Sequence, residues 1–223
     1  MSNKYFPDEQ IDFDDLYFVC YMIERVARKI QQRNRYVVAK LGSKGLLHEL
    51  SIAETNHCLN PEQVEDEWIT TYGMAPGNFD ITKVDSRFTD KVPSPTQMGK
   101  VYARLISSVD TEDNLPATMK AVYASPVCDK IDNYNTSAYY EPSYVQTRAF
   151  LNGLKKMLAV ISTLAPYKPN ADSLASEIGI SRDSVQDYLS LLERAQLIGQ
   201  LRDDVKTTSS SPKAMSFLSG LSG

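Results

Sequence analysis

Apolar residues recur at helical spacing from Leu16 onward. Leu16, Val19, Cys20, Ile23, Val26, Ala27 and Ile30 share one stripe, and Asp14 and Asp15 precede it where carboxylates suit the free amides of a helix start. A second helix is expected from Asn34, as its cap, through Lys40 with a stop at Gly42, and a third over Leu46 to Ala53. Asn60-Pro61-Glu62 is a start signal: a capping Asn, a proline at the first helical position and a first-turn carboxylate. Val64, Trp68 and Ile69 supply the stripe that follows, and Tyr72-Gly73 its end. Met74 to Pro95 reads as a turn-rich connection with a short extended piece at Phe79 and Ile81. Ser94-Pro95 then opens a helix that buries Met98, Val101, Tyr102, Leu105 and Ile106. Shorter helices are expected over Ala117 to Tyr123 and Cys128 to Tyr134.

The stretch Tyr134 to Phe150 is aromatic-rich, with Tyr139, Tyr140 and Tyr144 around Glu141-Pro142. Such residues either close the helical core, the favoured reading, or line a ligand groove. Leu154 to Leu164 is a further amphipathic helix, ended by Pro166. Ala171 to Leu189 then has helix-turn-helix spacing. Ala175 is the small residue two steeply crossing helices require, Gly179 tolerates the tight turn, and Leu174, Ile178, Ile180, Val185 and Leu189 fill the shared core. Ser181 is placed to cap the second helix, and Leu197-Ile198-Gly199 approaches a wing hairpin.

The resulting fold class is mainly α: a helical domain over 1–150, a winged helix-turn-helix domain over 151–206 and a flexible tail over 207–223. Lys168-Pro169-Asn170, Leu174-Ala175, Ile178-Gly179-Ile180-Ser181-Arg182, Tyr188-Leu189 and Leu192-Glu193-Arg194-Ala195 resemble, in order, the winged-helix segment downstream of the nucleotide-binding core in bacterial AAA ATPases. The P-loop core is not found here: no G-x-x-x-x-G-K-[ST] occurs, and Gly42-Ser43-Lys44-Gly45 has the wrong spacing. Phe18 to Glu24, continuing through Trp68, resembles short bacterial helical domains of unknown function encoded beside putative toxins. That likeness implies an interaction or antitoxin-like role. After Asp204 the Ser-rich run and the Ser219-Gly220-Leu221-Ser222-Gly223 end replace the alternation of a wing strand, which suggests a reading frame joined near Gly153 and left near Val205, or a native tail.

Composition narrows the function classes. The 223 residues are 42% hydrophobic, enough for a core, and 24 Lys+Arg against 28 Asp+Glu exclude a bulk-basic nucleic-acid coat. Three cysteines without C-x-x-C spacing, an acidic rather than basic start and the lack of a long apolar run lead us to expect a cytoplasmic protein with no membrane span. His48-Glu49 begins like a zinc-protease motif, but Ile52 stands where the second histidine belongs, so neither metal nor cofactor is expected. No nucleophile elbow occurs, and no catalytic residues are assigned. Arg25, Arg28, Lys29, Arg33, Arg35, Lys40 and Lys44 cluster, and Glu49, Glu54, Glu62, Glu65, Asp66 and Glu67 follow. This is either a basic binding surface or, as favoured, a solvated face balanced by its acids.

The sequence therefore favours a non-catalytic interaction module with a protein partner. The alternative is a regulator binding double-stranded DNA through Ser181, Arg182, Ser184 and Gln186. Asp183 and Asp187 on the same helix would repel phosphate, and from Leu154 to Lys206 seven basic residues meet seven acidic ones. An enzyme using Tyr140 and Glu141 is the least favoured reading.

Overall fold

A computed structural model describes residues 3–111, 113–164 and 171–178, together with 182, 185, 186 and 189. The chain divides into two compact units, Met1–Tyr123 with Val127–Thr147, and Ala124–Pro126 with Arg148–Gly223. Among the described residues all regular structure is helical and no β-strand is present.

In the first unit, α1 (Phe13–Lys29) starts at a reciprocal cap: Asp12 accepts from the amides of Asp14 and Asp15, and the Asp15 carboxylate accepts from the Asp12 amide. The chain then forms α2 (Asn34–Ser51), α3 (Ala53–Asn56), α4 (Pro61–Thr71), α5 (Pro95–Val109), α6 (Leu115–Ala124) and α7 (Pro126–Ile131). Asn60 caps α4 ahead of Pro61, and Ser94 and Gln97 cap each other's amides at the start of α5, as the start signals predict. Gly42, at φ 60° and ψ −179°, breaks α2 into two helical segments in a conformation only glycine adopts readily. The stop expected there is a kink.

Two expectations fail on local chemistry. Asn34 does not cap α2. It is the first helical residue, Arg33 occupies the cap without a side-chain bond, and the Asn34 amide turns inward to two carboxylates. Phe79 and Ile81 form no extended piece, because Asp80 folds the chain back by accepting from both the amide and hydroxyl of Thr82.

The core is built around α1, which packs against α2, α3, α4 and α5. Being covered on several sides, α1 buries Met22 and Glu24 as well as its predicted stripe. It approaches α5 tightly at Gly99, where a β-carbon would lie 2.9 Å from the Tyr21 backbone. Met98, Tyr102, Leu105, Ile106, Met119, Val122 and Tyr123 complete that interior, with Tyr102 and Tyr123 stacked at 4.3 Å between centroids.

A 3-10 turn at Ala138–Tyr140 leads to α8 (Ser143–Leu164), which begins well before the expected Leu154. Its first turns bury Gln146 and Phe150 while Tyr144 and Val145 face solvent, so a polar residue interrupts the apolar stripe that would have announced them. In the second unit, α9 (Ala171–Ile178) buries Leu174, and Val185 and Leu189 are also buried. The Gly179 turn and the expected wing and tail lie outside the described residues.

Candidate functional site

The strongest concentration of ionisable groups is internal. Glu24 of α1 is 0% exposed and Asp132, just after α7, is 7% exposed. The Asn34 amide bridges them, donating to Glu24 at 2.7 Å and to Asp132 at 3.0 Å. Glu24 also accepts from Arg28 Nε at 2.7 Å and from the Tyr134 hydroxyl at 2.5 Å. Asp132 accepts from the Tyr102 hydroxyl at 2.5 Å, with the Cys128 thiol 3.4 Å away. The Arg28 guanidinium pairs with Glu24 and also donates to the Pro93 carbonyl. Burial first, and the neighbouring Glu24 charge second, push the Asp132 carboxyl up to about 7, so this side chain holds a proton in weakly acidic solution. Burial likewise raises the Tyr102 hydroxyl and the Cys128 thiol well above their ordinary values.

Such perturbed groups mark active sites when a cleft reaches them. Here they are enclosed by α1, α2, α5 and α7, and their polar atoms are spent on one another. The network fastens helices; the Asn34 Oδ1, buried without a partner, is its residual cost. A second fastening lies at Glu49. It accepts from Trp68 Nε1 at 2.7 Å, from the Tyr72 hydroxyl at 2.5 Å and from Asn56 at 3.4 Å, and burial raises its carboxyl above the ordinary value.

Five of the seven cations clustered from Arg25 to Lys44 are in ion pairs. Glu65 meets Arg25 and Lys29, Lys29 also reaches Asp66 at 2.7 Å, and Asp129 meets Arg33 and Arg35. Most of the basic run is thus balanced by acids, notably those of α4. His48 contacts the Tyr5 hydroxyl at 2.8 Å, and His57 contacts the Glu54 carbonyl. Among the described residues no three His, Cys, Asp or Glu side chains gather to hold a metal ion.

Two hollows open on the first unit. One, about 430 Å³, has Asp12, Asp14, Asp15, Glu54 and His57 among its walls, and two of these acids are engaged in the α1 cap. The other, about 300 Å³, lies between α5 and the turn leading into α8. Lys100 and Arg104 rise on the α5 wall, Tyr140, Glu141 and Pro142 on the facing wall, and Gln146 is buried between them. The walls are tied together by the Ser108 and Thr147 hydroxyls at 2.6 Å and by Gln146 Nε2 donating to the Ala138 carbonyl at 2.9 Å.

The aromatic run is therefore divided. Tyr134, Tyr139 and Phe150 are core, while Tyr140 (60% exposed) and Tyr144 (65%) are not, and Tyr140 leans on Tyr139 at 4.2 Å. Neither Lys100 nor Arg104 has an ion-pair partner among the described residues; Lys100 lies 5.8 Å from the Tyr17 ring.

Of the residues expected to form a helix-turn-helix, Arg182 and Gln186 are exposed, with Arg182 Nε 3.4 Å from the Asp172 carboxylate. Leu174, Val185 and Leu189 are buried and Ala175 is half-buried; Ser181, Ser184 and Gly179 lie outside the described residues, as does the side chain of Ile178. No helix among the described residues is long and apolar enough to cross a membrane. No family model, curated protein or solved structure matches the chain.

Proposed function

We propose that this chain is a non-catalytic interaction protein, a helical domain joined to a helix-turn-helix module, and that the helical domain docks a protein partner in the groove between α5 and the Ala138–Ser143 turn. One observation carries this reading: Lys100 and Arg104 stand exposed across from the exposed Tyr140 with no ion-pair partner among the described residues, whereas five of the seven cations clustered from Arg25 to Lys44 are paired. Aromatic and arginine side chains supply much of the energy at protein interfaces. Asp132 and Glu49, whose carboxyls burial raises, are enclosed and hydrogen-bonded, which fits a scaffold better than a reaction centre.

The test is photo-crosslinking in the native host, with benzoylphenylalanine replacing Tyr140 in the full chain. A discrete protein adduct that disappears in Arg104→Glu supports the docking reading; adducts unchanged by that substitution, or none, overturn it. The duplex-DNA alternative predicts instead binding that weakens with salt and with Arg182→Ala and Gln186→Ala. The Asp172 carboxylate beside Arg182 competes with any phosphate there.

A further inference from the structure

We propose that the α5 groove takes an extended acidic peptide segment carrying carboxylates at alternate positions, acid–apolar–acid. This rests on the docking reading and adds the ligand's chemistry. Lys100 and Arg104 are four residues apart on α5, so their side chains leave the same helix face about 6 Å apart. In an extended chain, residues two apart point the same way and are separated by about 6.6 Å. Two carboxylates in that alternation meet both cations at once, each as a charge-assisted hydrogen bond.

The residue between them points to the opposite wall, where Tyr140 offers an aromatic face already braced by Tyr139. An apolar side chain suits that wall. Glu141, beside Tyr140, repels an acid placed there, which fixes the facing of the segment as well as its charge. The same carboxylate disfavours a nucleic-acid strand, whose bases would have to stack on Tyr140 while its phosphates passed Glu141. The groove's volume of about 300 Å³ suits a few residues, not a folded domain.

Fluorescence anisotropy on the full chain tests this with three labelled peptides. These are Ser-Glu-Phe-Glu-Ser, its adjacent-acid isomer Ser-Glu-Glu-Phe-Ser, and Ser-Lys-Phe-Lys-Ser; a ten-nucleotide single-stranded DNA is the fourth probe. The alternating acidic peptide should bind tightest, weaken as salt rises, and lose about tenfold in affinity in Arg104→Glu. Lys100→Gln should weaken it severalfold, and both substitutions lie at exposed positions where the fold, checked by circular dichroism, is expected to persist. Equal binding of the two acidic isomers, tighter binding of the lysine peptide or the oligonucleotide, indifference to Arg104→Glu, or no binding overturns the proposal. An Arg104-dependent crosslink to a protein in cells, with no preference for the alternating peptide, would leave the docking reading standing and remove only this ligand class.

Discussion

Asp132 shows how one side chain can make stability depend on pH. Its folded-state pKa of about 7 lies above the ordinary carboxyl value, so between roughly pH 4 and 7 the folded chain holds a proton that the unfolded chain has released. The favourable contribution of this group is complete below the unfolded pKa and is lost as pH rises through 7. Asp132→Asn keeps an oxygen for Tyr102 and Asn34 and cannot ionise. We expect the variant's melting temperature, relative to the parent, to climb as pH is raised from 4 to 7.5 and to level off above that. A difference independent of pH would show that Asp132 carries no such proton. The chemistry of Glu24, Glu49 and Asp132 is partly legible in the sequence. Glu24 lies four residues after Cys20 and three before Ala27 on the buried face of α1, and Asp132, four after the buried Cys128, continues the inward side of α7 into the turn that follows it. Their partners are not legible, because Asn34 and Tyr134 come from distant parts of the chain.

At the scale of elements, the contact between α1 and α5 depends on a missing side chain. On an open helix face, Gly→Ala stabilises by about 1 kcal/mol through backbone entropy. At Gly99 the added carbon would press on the backbone of Tyr21, which cannot turn aside. We expect Gly99→Ala to destabilise by about 1–3 kcal/mol, measured by urea unfolding at unchanged slope. A raised midpoint would mean that the two helices do not meet there. The caps at Asn60 and Ser94 were readable because capping uses residues two or three positions away. Asn34 looked like the same signal and serves a different end, since a buried carboxylate pair outcompetes the local amides for its side chain.

For the whole molecule, burial divides the three cysteines. Cys20 and Cys128 are buried, and burial lifts the Cys20 thiol to about 12; Cys58 is exposed, and none of the three is in a disulfide. A maleimide or Ellman's reagent should therefore modify one thiol quickly in the native protein and all three in denaturant. The slow native modification of the other two should follow global unfolding, slowing in conditions that raise the melting temperature. Fast modification of two or three thiols would contradict the packing of α1 and α7 into one interior.

The sequence by itself determined the helical class, the long stripe of α1, the starts of α4 and α5, and the break at Gly42, because each is set by side chains within a turn or two of the backbone they govern. The balancing of the basic run was also foreshadowed by the acids that follow it. Tertiary structure alone decided which partners the buried polar residues meet and which aromatics remain outside. Tyr139 and Tyr140 are chain neighbours with opposite fates, separated by the direction in which a 3-10 turn points them. The groove followed from the same cause: Lys100 and Arg104 are unremarkable on α5 until the turn before α8 brings Tyr140 and Glu141 opposite them. Local periodicity specifies a helix and its faces, but only packing specifies what each face meets.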